Sequence, residues 1–134
     1  EATARSFNDI SVCVVDASGR VLVSKTMVGC PPLIPDMARA KAGAAIGTHS
    51  STRKLKDKYV PDRTPQLLAM TTLSSNANMP FAAVPGGVLC RDPATNDVIG
   101  AIGVSGASAD EDEHCAIIGA QSVGCRTEPP KSAL

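Results

Sequence analysis

The sequence predicts an α+β domain, with about five strands in a mainly antiparallel sheet covered by helices. Three observations predict it. A β-branched hairpin opens the chain, a glycine-punctuated strand meander occupies its second half, and helical stretches rich in small apolar residues lie between and after them.

The hairpin is Ile10-Ser-Val-Cys-Val-Val15, turn chemistry at Asp16-Ala-Ser-Gly19, and an extended run from Val21 to Met27. Gly29-Cys-Pro-Pro32 ends it, because prolines cannot donate to a ladder. A helix is expected from Pro35-Asp36, where Pro and Asp suit a first turn, to about Gly47. Met37, Ala38, Ala42, Ala45 and Ile46 recur on one of its faces, so the helix can approach a sheet closely. The basic, polar stretch His49–Tyr59 reads as a short surface helix or loop. Gln66–Leu73 reads as a helix with Leu67, Leu68, Met70 and Thr71 inward.

Phe81-Ala-Ala-Val is expected as a strand, Pro85-Gly86-Gly87 as a bend, and Val88–Arg91 and Val98–Gly106 as two further strands in meander order. Glycines 100, 103 and 106 carry no side chain to pack, which implies close approach of a neighbouring backbone or a ligand. Ser108-Ala-Asp-Glu111 is a capping box that starts a final helix running to about Val123. One domain is expected over residues 1–126, and the tail 127–134 is expected to be flexible on composition.

The composition closes several doors. The chain has 134 residues, the span of one ordinary domain, and 43% are hydrophobic with only Phe7, Phe81 and Tyr59 as aromatics. Thirteen basic residues balance thirteen acidic ones, and no basic face with interleaved aromatics exists for nucleic acid. No apolar run approaches the roughly 20 residues of a membrane span, and Glu-Ala-Thr-Ala-Arg-Ser lacks the plan of a signal peptide. Five cysteines at 13, 30, 90, 115 and 125 make an odd set without a Cys-x-x-Cys pair, so reduced thiols are expected rather than a disulfide scaffold or a zinc site. The first residue is not Met, which reads as a fragment, a processed form or a trimmed chain. The expected location is intracellular and cytoplasmic. Ser132-Ala133-Leu134, a relaxed Ser-Lys-Leu address, makes a peroxisome-like organelle the alternative.

Four stretches in order carry a resemblance: Val14-Val-Asp16-Ala-Ser-Gly19, Ala38-Arg39-Ala-Lys41-Ala42, Pro80-Phe81-Ala-Ala-Val-Pro-Gly86-Gly87-Val88, and Val98–Gly106 followed by acids around Asp112. Together they resemble the GlcG/HbpS-like family, best known as haem-binding or haem-degrading proteins, which includes the carboxy-terminal domain of PduO-type proteins. The resemblance implies a profilin-like fold and assembly into dimers or larger rings. It also implies a longer amino-terminal helix than the residues before Phe7 supply, so that part of a covering layer is absent or lies upstream.

The expected ligand-binding set is Arg39, Lys41, Pro85, Gly86, Gly87, Ser105 and Asp112. The amides of the Pro85-Gly86-Gly87 bend and the start of the last helix offer donors to a carboxylate or other anion. Arg39 and Lys41 offer charge to a ligand propionate or to Asp112. If the ligand is haem, as the resemblance implies, His114 and His49 are the candidate iron ligands, with a thiolate or Met27 behind them. The family imposes a histidine at neither place. As ordinary features, the same residues are a tight turn, a helix cap, ion pairs and solvent-facing imidazoles.

No nucleophile elbow, P-loop or His/Cys metal spacing is present, so no catalytic residue is assigned. Three readings of function follow. The first is a small-molecule binder for haem or a related tetrapyrrole, assisting haem degradation. The second is a cofactor-independent enzyme for a small oxygenated metabolite, using Lys41 and an acid near Asp112. The third is an oligomeric accessory protein.

Overall fold

The hairpin forms where the β-branched runs place it, with β1 (Ser11–Asp16) and β2 (Val21–Thr26) pairing antiparallel. In this computed structural model, which describes residues 1–134, one carboxylate builds the turn. Asp16 Oδ1 accepts from Ser18 N, Ser18 Oγ and Arg20 N at 2.8–2.9 Å. The Ser18 hydroxyl leads these donors in pulling the Asp16 carboxyl down to about 2. Gly19 supplies the positive φ of +85° that the turn requires.

Next come α1 (Ile34–Thr48), α2 (Thr52–Tyr59) and α3 (Thr64–Asn76). Then β3 (Gly87–Arg91), β4 (Val98–Ser105), α4 (Ala109–Ser122) and β5 (Arg126–Glu128) complete the chain. The five strands form one antiparallel sheet in the order β2-β1-β4-β3-β5. Helices α1 and α4 lie on its opposite faces. No helix is long and apolar enough to cross a membrane.

Strand alternation divides the core in two. Cys13 and Val15 of β1, Leu89 of β3 and Ala101 of β4 pack against Ala38, Ala42, Ala45 and Ile46 of α1. Val88 and Val104 point the other way, onto Ala116 and Ile117 of α4, with Ala2 and Ile10. The alanine face of α1 lets the helix lie on the sheet backbone itself. A Cβ built on Gly103 would stand 1.9 Å from Ala38 O, and one on Gly87 would stand 2.4 Å from Lys41 O. Glycine is required at both places, and the close neighbour is the protein's own backbone.

Three expectations are corrected. Phe81–Val84 is not a strand: Ala82 N donates to Ala40 O of α1 at 3.1 Å, so its backbone is spent on the helix, and Pro85 has no N–H to give. The fifth strand is instead β5, whose last two residues, Thr127 and Glu128, fall in the stretch expected as flexible tail. Thr127 is buried opposite Cys90, and Arg91 pairs with Glu128 at 2.6 Å. Finally, α3 turns no residue fully inward. Leu68 and Leu73 are 65% and 70% exposed, and Leu67, Met70 and Thr71 are only half-buried.

Candidate functional site

The expected ligand set does converge, but on itself. Lys41 Nζ donates to Asp112 Oδ2 at 2.9 Å and to Val104 O at 3.0 Å, and the two side chains are 3% and 2% exposed. Asp112 Oδ1 takes the amide of Ala107 at 2.9 Å. Burial pushes the Asp112 carboxyl above its usual range, and the bond from Lys41 and its charge oppose the shift. One of the donors expected to serve an anion is committed as well. Gly87 N donates to Thr52 Oγ1 at 2.8 Å, and Lys41 Nζ lies against Gly86, whose φ is +130°. The start of α4 carries its capping box, with Ser108 and Glu111 exchanging bonds at 3.1 and 3.3 Å. Pro85 and Ser105 are buried beside this cluster's strands, whereas Arg39 faces solvent. Within this chain the region holds a buried internal ion pair, and Lys41, Gly86, Gly87 and Asp112 line none of the three main cavities.

The histidines part company. His114 is buried, with Nδ1 2.8 Å from Ser132 Oγ and Nε2 2.9 Å from Glu1 Oε1, so it ties the two ends of the chain together. Phe7 packs edge-on against its ring. His49 is exposed and caps α1 in the left-handed conformation. Beside them, Arg53 joins α2 to α4, its Nε donating to both Glu113 oxygens at 2.9 and 3.0 Å while Asp110 holds Nη2. The bond to Glu113 leads in raising the Arg53 pKa. The acidic cluster is therefore divided among a cap, a buried pair and an interhelix bridge.

An opening exists on the other face of the sheet. A groove of about 680 Å³ runs between the outer face of β1 and β4 and the side of α4, and 17 of its 21 lining residues are hydrophobic. Val12 and Val14 come from β1, Ile99 and Ile102 from β4, and Cys115 and Ile118 from α4. Glu1 supplies the only charged side chain, at the rim. No imidazole lines it. Burial raises the pKa of the Cys115 thiol, so the sulfur stays protonated at neutral pH.

Sequence reasoning missed this groove, although a signal was present. Both faces of β1 are apolar, with Val12 and Val14 alternating against Cys13 and Val15. That pattern asks for cover on two sides, and α4 covers only part of the second.

The architecture has solved relatives. Residues 1–121 match the family described as haem degrading protein HbpS-like. The chain belongs to this family. The crystal structure of a complex of PduOC with haem superposes with a TM-score of 0.77 at 23% identity, covering 92% of this chain and 84% of that one. The structure of HbpS gives 0.72 at 26% identity, covering 92% and 79%. A double mutant of Streptomyces reticuli HbpS gives 0.71 at 30% identity, covering 92% and 76%. No curated protein matches the chain in sequence. The five-stranded sheet with helices on both faces is thus the HbpS-like fold, and the expectation of family and fold class holds.

Proposed function

We propose that this HbpS-like domain binds haem or a related tetrapyrrole, and that the macrocycle lies in the apolar groove along β1, β4 and α4. The observation that carries the reading is the groove's character. A porphyrin buries a wide, flat, apolar surface and keeps its propionates wet, and this cleft offers an open mouth with an almost wholly hydrophobic floor. Small-molecule pockets in general span about 300–1,000 Å³, and the groove falls within that range. Family membership and the haem complex of PduOC support the choice of guest.

Bound haem would bring redox-active iron, the chemistry that haem degradation requires. The chain's own contribution is to bury the macrocycle between Val14, Ile102 and Ile118 and to offer the Cys115 sulfur to the metal. Were Cys115 to hold the iron, its thiol would have to give up its proton, so binding through that sulfur would strengthen as pH rises. Because Lys41 and Asp112 are sealed inside, the reading in which they act on a metabolite has no support from the geometry.

Haem titration followed by absorbance tests the proposal. A saturating Soret shift at one haem per chain is expected. Carboxylates at the exposed groove positions, Ile99→Asp with Ile118→Asp, should weaken binding at least about tenfold, equivalent to 1.4 kcal/mol. Cys115→Ser should change the spectrum more than the affinity. No shift at micromolar haem, or full affinity in the carboxylate variant, overturns the assignment.

A second reading, assembly of copies of this chain, draws support from α3. Its 13 residues carry no charge and none is fully buried, and a helix of that length is marginal in water without a larger packing surface. Light scattering on Leu68→Glu with Leu73→Glu tests it, with dissociation expected; an unchanged mass, or a monomeric parent, rejects it.

A further inference from the structure

Cys90 and Cys125 share one end of the groove. Cys90 on β3 stands opposite Thr127 on β5, and Cys125 lies two residues before Thr127. By strand alternation Cys90 and Thr127 point to one face, and Cys125, one residue before β5, lines the same groove with its sulfur close enough to share a hydrogen bond with the Cys90 thiol. Two contacts fix which face it is. Gln121 of α4 donates to Thr127 Oγ1 at 3.0 Å, and Val88, two residues before Cys90, packs on Ile117 of α4. The other cysteines are placed differently: Cys13 faces α1, Cys30 follows β2, and Cys115 projects from α4.

We propose that Cys90 and Cys125 form a reactive dithiol, oxidised to an intramolecular disulfide by hydrogen peroxide or another small hydroperoxide. Cys125 is the less buried of the two and is the first nucleophile. Its thiolate attacks a peroxide oxygen, the O–O bond breaks, and water or an alcohol leaves with the proton that Cys125 gave up. The resulting sulfenic acid is then displaced by the Cys90 sulfur. The S–S bond forms, and the sulfenic hydroxyl leaves as water with the Cys90 proton. Two thiols and one hydroperoxide give one disulfide, one water or alcohol and one water, a two-electron oxidation.

The pair is asymmetric in a way that suits this order. Burial, together with charge repulsion from Cys125 and a hydrogen bond that the Cys90 thiol donates to the Cys125 sulfur, pushes the Cys90 thiol up to about 12. Cys90 is thus the weaker nucleophile toward free peroxide, and its role in the pair is to resolve a sulfenic acid held beside it. The disulfide would fasten β3 to the segment joining α4 to β5, closing one rim of the groove. It requires no bound haem, so it stands or falls separately from the reading above.

The test is peptide mapping of the full chain after hydrogen peroxide treatment, with alkylation under denaturing conditions. Three of the five cysteines should alkylate, with a mass loss of two hydrogens and a peptide pair joining Cys90 to Cys125. In Cys90→Ser the oxidised Cys125 should persist as a sulfenic acid that dimedone labels. In Cys125→Ser all four remaining thiols should stay reduced. Five alkylated cysteines, or a bond from either sulfur to Cys115 or to a second chain, overturns the proposal. The parent protein's map decides the matter even if a serine variant fails to fold.

Discussion

The two faces of the sheet solve one problem by opposite means. On the α1 face, helix and strands meet backbone to backbone through Gly87 and Gly103, and the one charged intruder, Lys41, arrives with its own counter-charge. On the α4 face, larger side chains stand off from one another, and the strands β1 and β2 reach past the helix into the groove. The lesson is that small residues close an interface while branched ones, left without a facing layer, open it.

The largest expected effect comes from unbalancing the sealed face. Lys41→Met leaves the Asp112 carboxylate buried without its cation, a class of change that costs about 3–5 kcal/mol. Urea unfolding should show that loss, and Lys41→Met combined with Asp112→Leu should recover most of it, because an apolar pair of similar volume replaces the ions. If the double variant is as weak as the single one, the bonds to Val104 O and Ala107 N carry the site, and the charges do not.

Next in size is Gly103→Ala. The added methyl would meet Ala38 O and Ala42 N, which are helix backbone and cannot swing aside as a side chain can. Overpacking of this kind costs about 1–3 kcal/mol, and this position belongs at the upper end. A melting temperature unchanged by the substitution would mean that α1 sits farther from β4 than the close glycine contact implies.

How much of this was legible beforehand follows the same division. The hairpin, the alanine helix and the Ser108 capping box were readable because their signals are local, whether turn residues, 3.6-residue spacing or a cap with its acid three positions on. Glycine 103 was read as a close approach and is one. Phe81–Val84 misled because its apolar run looks extended, while the partner that claims its backbone, Ala40, lies some forty residues earlier. The tail misled for the converse reason. Its composition is that of a flexible end, but Thr127 finds a place beside Cys90 that only the folded sheet creates. Arg39 and Lys41 were read as partners for either a ligand propionate or Asp112, and Lys41 takes Asp112 while Arg39 faces solvent; charge alone does not reveal whether such a residue faces a ligand or its own chain. The groove escaped notice because it is defined by where α4 stops covering the sheet, a property of packing rather than of any motif.

The smallest expected effect has the opposite sign and probes the open face directly. Gly119 sits in α4 on the groove wall, and a Cβ there meets nothing within 4 Å. Replacing a helical glycine with alanine at an unobstructed site raises stability by up to about 1 kcal/mol, chiefly by restricting the unfolded chain. Gly119→Ala should therefore raise the urea midpoint of the apo protein slightly, where Gly103→Ala lowers it. The substitution also reports on what the groove holds in solution. Should Gly119→Ala destabilise the protein, a body must already be packed against that wall, whether a second copy of the chain or residues ahead of Glu1, which would leave from the groove's rim. Should it stabilise the apo protein yet weaken haem binding, the added methyl has met the macrocycle, and the guest is located to within one side chain of α4.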